Sequence, residues 1–361
     1  MTAARPGGPE RERRMNVMAA GKVRSGLRPL LPLLMAALSA IAAAEVTVET
    51  REDRIDVAID GKPFTSYVHA GHRKPILFPV IGSGGVAMTR SWPMADGVAG
   101  EPHDHPHHES IWFSHGDVNG IDFWASSPVA GKPERRDNNR IEHAALVKAE
   151  GGREGVIETE NRWLKADGTQ VCSDTRRLVF GGATTSRTID YSITIHADHG
   201  PVTFGDTKEG TMALRVPVQL QLKNLEGSKG AAGHCTNSAG HVGAEVWGKP
   251  ASWVAYWGPI EGRTVGVAML DHPDNLRHPT YWHARDYGLV AANPFGVHDF
   301  TGAAKGAGDH TIPPGGSLTL RYLLVAYEGD PEEAGIDALW KTWTHDRPNA
   351  ATIERHTEGN P

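Results

Sequence analysis

Residues 156–196 read VIETENRWLKADGTQVCSDTRRLVFGGATTSRTIDYSITIH, and this stretch decides the fold. In its last part, Ile189, Tyr191, Ile193 and Ile195 fall on every second position. Successive side chains of a strand point to opposite faces, so this pattern predicts a strand with one buried face. Asp167-Gly168 and Gly181-Gly182 are turn signals, and they divide the stretch into strands at 156–164, 169–180 and 188–196. Upstream, RIDVAID at 54–60 puts Ile55, Val57 and Ile59 on one face and ends in Asp60-Gly61, a hairpin-turn pair. Downstream, 212–222, 264–270 and 317–327 continue the pattern. The expectation is an all-β chain, an antiparallel β-sandwich of supersandwich or jelly-roll-like type.

One C-terminal helix is signalled. Asp330 suits the cap, Pro331 and Glu333 the first turn, and Ala334, Ile336, Leu339, Trp340 and Trp343 make an apolar stripe. The Gly-, Ala- and Ser-rich stretch 226–243 predicts a long mobile loop, and 291–316 a second long loop. No repeat or linker divides the chain.

Residues 1–44 have the layout of a secretory signal peptide. Lys22, Arg24 and Arg28 precede a short apolar run at 30–41, and Ala42-Ala43-Ala44 forms a small-residue cleavage site. This predicts a periplasmic or secreted protein with one β-sandwich domain at 45–347, a tail at 348–361, and no membrane insertion after cleavage. The 361 residues carry 37 Lys/Arg and 43 Asp/Glu, a formal charge of −6. The leader holds seven of those cations against two acids, so the remainder is more acidic. That balance argues against a nucleic-acid partner. Cys172 and Cys235 are a possible pair in an oxidising compartment, but two cysteines make no disulfide framework.

Chemistry concentrates in three segments. PHDHPHHESIWFSHGDVNGIDFW at 102–124 holds His103, His105, His107, His108 and His115 beside Asp104, Glu109, Asp117, Asn119 and Asp122, with Trp112 and Trp124. Imidazole titrates near neutrality and is the commonest metal ligand, so the segment offers proton transfer or metal binding. FGDTKEGTMALR at 204–215 contributes Asp206, Lys208, Glu209 and Arg215. The loop at 271–293 contributes His272, Asn275, Arg277, His278, Tyr281, Trp282, His283 and Arg285. Aromatic faces beside polar groups suit carbohydrate. The plainer alternatives are turn-capping histidines, a solvated hairpin and core tryptophans.

The leading expectation is a carbohydrate-active enzyme using acid–base chemistry on a glycoside or sugar acid. Hydrolysis, elimination and epimerisation all stay open. His105 or His108 acts with His115, and Asp117 orients a histidine. Asn119, Asp206, Lys208, Glu209, His283 and Arg285 hold hydroxyls or a carboxylate, while Trp124 and Trp282 stack on the sugar. This reading needs no cofactor, and its partner is a small carbohydrate or sugar acid.

Two alternatives stand beside it. Gly97, His103, His105, Glu109 and Gly116 resemble the first cupin motif, whose two His and Glu hold a divalent metal from one strand face. The second cupin motif would need a His where Thr319 stands, so a fourth ligand must come from elsewhere, such as His115 or His278. Pro102 and Pro106 oppose a regular strand there. The other alternative is a non-catalytic periplasmic sugar-binding module. No Walker loop, dinucleotide fingerprint, Gly-x-Ser-x-Gly elbow or His-Glu-x-x-His is present.

The block 103–108 (HDHPHH), with WFSHGDVNG at 112–120 and Phe123-Trp124, resembles a bacterial family of unknown function labelled methane oxygenase PmoA-like. DTKEG at 206–210, DHPDN at 271–275, Trp282-His283 and NPFG at 293–296 resemble its other recurring blocks. The resemblance spans most of 50–345. It implies a secreted or periplasmic β-sandwich similar to the mutarotase-like supersandwich group, which acts on or binds sugars. It carries no catalytic residues over to this chain.

Overall fold

The fold is described by a computed structural model over residues 44–125 and 138–346. The signal-peptide reading at 1–44 lies outside those residues apart from Ala44, as does the tail at 348–361.

Two large antiparallel sheets face each other. The first runs, in spatial order, Val46–Thr50, Arg54–Ile59, Lys62–Val68, Ile76–Leu77, Ile111–His115, Gly210–Arg215, Leu289–Asn293 and Tyr281–Trp282. The second runs His234–Asn237, Trp253–Ile260, Arg263–Asp271, Ser317–Glu328, Ser186–His196, Gln170–Ala183, Gly155–Leu164 and Arg140–Glu150. A short pair, Val202–Phe204 with His310–Ile312, stands apart. Ile55, Val57, Phe113 and Met212 of the first sheet share one core with Ile189, Tyr191, Ile193 and Ile195 of the second. The sandwich and the alternation that predicts it therefore agree. Asp60 and Gly61, at φ 52° and 70°, form the expected hairpin turn.

Four local expectations are corrected. Gly181 and Gly182 do not end a strand, because they pair with Thr188 and Arg187 and the strand continues to Ala183. Gly182 is there for close approach: a Cβ would lie 2.7 Å from the Ser186 carbonyl. The strand expected at 212–222 is Gly210–Arg215, and a 3-10 turn at Val218–Leu220 follows Pro217, which has no N–H for a ladder. Neither 226–243 nor 291–316 is one long loop, since His234–Asn237 pairs with Trp253–Ile260, and the second stretch holds the end of Leu289–Asn293, a short helix at Val297–Thr301 and the strand His310–Ile312. The pairing of Cys172 and Cys235, which the sequence leaves open, does not occur, since both are free and buried.

The C-terminal helix is Ile336–Asp346. Asp330 accepts the N–H groups of Glu332 and Glu333, both at 2.9 Å, but Gly335 at φ 64° delays the regular helix by a turn. Ile336 and Trp343 pack on the outer face of the second sheet against Trp253, Leu270, Leu323 and Val325. Full burial of each such side chain stabilises by roughly 1.5–3 kcal/mol. Among the described residues no helix is long and apolar enough to cross a membrane.

The outer face of the first sheet carries the chemistry. Cross-strand register aligns Trp112, Ala213 and Ala291 in one row. His283 extends that row by exchanging backbone hydrogen bonds with Ala291, at 2.9 and 3.2 Å. Arg215 lies opposite Leu289 in the neighbouring row, and Arg285 donates its N–H to Leu289. The two alanines lie between Trp112 and His283 in that row.

Candidate functional site

The histidine-rich segment is an irregular loop, as its two prolines require, and buried charges organise it. Arg90 is fully buried, and its guanidinium donates to the carbonyls of Asp104 (2.8 Å), His105 (2.9 Å), His108 (3.1 Å) and Pro102 (3.4 Å). Glu101 accepts the N–H groups of Ser91 (2.9 Å) and Trp92 (2.8 Å). At the far end of the loop Glu109 is enclosed by Lys74 Nζ at 2.8 Å and His72 Nδ1 at 2.7 Å. Burial alone would raise the Glu109 pKa, but the Lys74 ammonium and His72 bring it below its ordinary value.

This scaffold fixes Asp104 and His105. The Asp104 carboxylate accepts from Arg90 at 2.8 Å and from Arg215 at 2.9 and 3.1 Å. Its other contact is His105 Nδ1. Burial works against ionisation of Asp104, but the His105 hydrogen bond and the two guanidinium groups outweigh it and hold the carboxyl well below the usual range. An ionised carboxylate only accepts, so neutral His105 carries its proton on Nδ1 and presents an unprotonated Nε2. The His105 side chain is 42% exposed, and its backbone sits at φ 44°, a region non-glycine residues seldom adopt.

Three rings form a near-parallel group. The His105 and His108 centroids are 4.8 Å apart at 9°, and those of His105 and Tyr287 5.1 Å apart at 9°. Trp112 continues the stack beneath His108 at 5.4 Å. Arg215 donates to His108 Nδ1 at 2.9 Å. Arginine has no acceptor, so His108 carries its proton on Nε2. Burial first, then His107 and Arg215, lower its pKa well below the ordinary value. His108 is therefore a neutral support for His105 rather than a group that titrates near neutrality.

The opposite wall comes from the other two segments. His283 Nδ1 donates to the Lys208 carbonyl at 2.9 Å, which leaves its Nε2 an acceptor. Burial, followed by the Arg285 charge, pushes its pKa down to about 3. Lys208 Nζ pairs with Glu209 at 3.3 Å. The guanidinium groups of Arg215 and Arg285 lie 4.7 and 5.4 Å from the Tyr287 ring centroid.

A family model for a "Family of unknown function (DUF6807)" matches residues 54–341. The chain belongs to the DUF6807 family. A search of curated proteins finds no match to it. Among solved structures it is similar to the GH36 alpha-galactosidase AgaA from Geobacillus stearothermophilus, at 10% identity and a TM-score of 0.37. That match covers 79% of this chain and 40% of the other, so the chain spans less than half the length of the structure it matches.

In this DUF6807 member the outer face gathers His105, His108, Lys208, Glu209, His283 and Arg285 from the sequence-predicted residues. The others lie elsewhere. His115 shares strand parity with Phe113, packs between Phe204 and Phe295, and donates Nε2–H to the Gly205 carbonyl at 2.8 Å. Burial pushes its pKa down to about 4. Asp117 accepts the Gly120 N–H at 2.8 Å and closes a turn rather than orienting a histidine. Asn119 bridges to Pro201 and Thr203. Asp206 accepts N–H groups from His298 and Gly308, both at 2.9 Å, and so ties loops together. Trp282 is a core residue whose Nε1 donates to the Ala251 carbonyl at 2.9 Å. Trp124 is buried behind Trp112 and has no face to offer a sugar.

The cupin-like set does not converge. His103 stacks on Trp92 at 5.0 Å, His105 is engaged by Asp104, and Glu109 is consumed by Lys74 and His72. The single strand face that motif requires is absent because 101–110 is loop. Among the described residues no group of three or more His, Cys, Asp or Glu is placed to hold a metal. Sequence reasoning missed the roles of Arg90, Asp104, Arg215 and Tyr287. The available signal was Arg215 inside the apolar run MALRVPV, since a buried arginine demands a partner.

Proposed function

We propose that this protein is a carbohydrate-active enzyme of the periplasm or cell exterior, with Asp104 and His105 as its acid–base centre. The reading rests on one observation: a carboxylate anchored by two buried arginines holds Nδ1 of a half-exposed histidine. A histidine so held presents Nε2 to a substrate, and the carboxylate stabilises the imidazolium that forms on proton transfer. Positioned proton transfer of this kind accelerates reactions typically by about 10²–10⁴.

Tyr287, not either of the two expected tryptophans, is the aromatic ring beside the base, stacked on His105 and flanked by Arg215 and Arg285. Lys208, Glu209, His283 and Arg285 supply donors and acceptors for hydroxyl groups. Small carbohydrates fit this array of hydrogen-bonding groups around a base, in keeping with the mutarotase-like resemblance. No step in the proposed chemistry calls for a metal or organic cofactor.

The test is turnover of a panel of neutral glycosides and uronides by the wild type, His105→Gln and Asp104→Asn. The expected result is activity that His105→Gln removes and Asp104→Asn lowers by about 10²-fold or more. Turnover that both variants retain at the wild-type rate would refute the proposal.

A further inference from the structure

We infer that the substrate is a sugar acid, whose carboxylate is held by Arg285 while His105 removes the proton from the adjacent carbon. This inference rests on the acid–base reading above and narrows it to a substrate class and a reaction.

Charge is the first observation. Arg90, on the His105 carbonyl, and Arg215 and Arg285, against the Tyr287 ring, border the His105–Tyr287 group, and Lys208 adds a cation on the His283 side. Asp104 and Glu209 oppose them, with Glu101 further back on backbone N–H groups. Among the described residues, these four cations against three anions leave one positive charge in excess. Arg285 is the unspent one. Its backbone is tied to Leu289 and Tyr256, but among the described residues its guanidinium forms no ion pair. It lies against Tyr287, the ring stacked on His105, so one aromatic ring links the guanidinium to the base. A guanidinium grips a carboxylate through two parallel hydrogen bonds.

The second observation is which carboxyls the described residues of the site offer. Glycoside hydrolysis by paired carboxyls needs one held protonated as the acid. Here Asp104 is fixed as an anion by two arginines, and Glu209 is paired with Lys208. A histidine base beside a cationic carboxylate clamp suits a different step. The charge of a carboxylate discourages loss of the neighbouring proton, and a guanidinium offsets that charge and stabilises the enolate-like species that forms.

In elimination, His105 Nε2 takes the proton from the carbon bearing the carboxylate. The C–H electron pair becomes a carbon–carbon double bond. The C–O bond at the next carbon breaks, its electron pair leaves with the oxygen, and that oxygen takes the Tyr287 hydroxyl proton. The proton on His105 then passes through water to restore Tyr287, so the net products are an unsaturated sugar acid and an alcohol. Tyr287 suits the acid role because its ring stacks on that of His105, with centroids 5.1 Å apart, and a phenol is protonated at neutral pH.

The experiment uses the full chain with oligomers of mannuronate, guluronate, galacturonate and glucuronate in heavy water. It follows ultraviolet absorbance of the unsaturated product and deuterium at the carbon next to the carboxylate. Methyl esters of the same oligomers and neutral glycosides run alongside. The wild type is expected to act on a free acid. Arg285→Gln is expected to lower kcat/KM on that acid by about 100-fold, the loss of hydrogen bonds to a charged group, and to affect the ester far less. Arg285→Lys should restore part of the loss. Absence of exchange and of elimination on every free uronide overturns the inference. If neutral glycosides are then turned over in a His105-dependent way, the acid–base reading survives alone. Turnover indifferent to His105→Gln ends both.

Discussion

Glu109→Gln separates a structural from a metal-binding role for the buried end of the histidine loop. The Glu109 and Lys74 side chains are each 1% exposed and 2.8 Å apart. Glutamine keeps the shape and removes the charge, which leaves the Lys74 ammonium buried with the His107 carbonyl at 3.1 Å. Breaking a buried pair by removing one partner costs about 3–5 kcal/mol. We expect the lower end, about 3 kcal/mol, because the amide oxygen still accepts. With an m value of about 3 kcal/mol/M for a domain of this size, the urea midpoint falls by about 1 M. Adding Lys74→Met removes the stranded charge and should recover at least half of that loss, since a buried pair replaced by apolar groups is often neutral. The assay is equilibrium urea unfolding near neutral pH, with and without a chelator. A Glu109→Gln midpoint within about 0.2 M of wild type, or a double variant no better than the single, would refute the reasoning. A loss that appears only when chelator strips the wild type would return Glu109 to the ligand role.

Other outcomes follow from the same contacts. His115 has its folded pKa lowered from 6.5 to about 4, so the unfolded chain binds the proton more tightly. Its contribution to stability is complete above 6.5 and is lost as pH falls toward 4, so the His115→Gln variant should show a flatter stability profile across that window in urea titrations. Glu109 and Asp104, both lowered, contribute stability above their ordinary 4.5 and 3.8 that fades at lower pH, measurable as acid unfolding shifted upward in Glu109→Gln. Cys172 and Cys235 are buried with raised thiol pKa values, the latter about 12, and should react with a thiol reagent only after denaturant is added. Gly308→Ala puts a Cβ 1.7 Å from the Phe295 carbonyl, so it should lower stability by about 3 kcal/mol or more and loosen the Asp206 loop anchor, read by thermal unfolding.

The fold was legible where one face of a strand is apolar and the other polar. Ile189 to Ile195 is such a case, although Asp190, Ser192 and Thr194 on its other face are also buried. Asp190 is covered there by Arg321 and Trp343. His234–Asn237 was hidden because the sequence HCTN lacks alternation and its pairing partner begins sixteen residues later at Trp253. In the site, residue type marked the right segments but not the facing. In Ile111–His115 both parities carry large apolar rings, Phe113 on one face and Trp112 on the other, so the side of His115 could not be read. The pairings that define the centre come from far along the chain. Arg215 lies 111 residues from Asp104, and His72 lies 37 from Glu109. Asp104 adjoins His105 in sequence, but the two arginines that anchor its carboxylate leave no trace in local spacing, so the expectation fell on Asp117 beside His115 instead.

The most direct test of the acid–base centre is the tautomer of His105, read from ring-nitrogen shifts and long-range nitrogen–proton couplings across its titration. It needs no substrate. The account predicts the Nδ1–H tautomer in the neutral form, with that preference lost in Asp104→Asn, because only the Asp104 carboxylate fixes which nitrogen holds the proton. A neutral His105 protonated on Nε2, or one unchanged by Asp104→Asn, would contradict it.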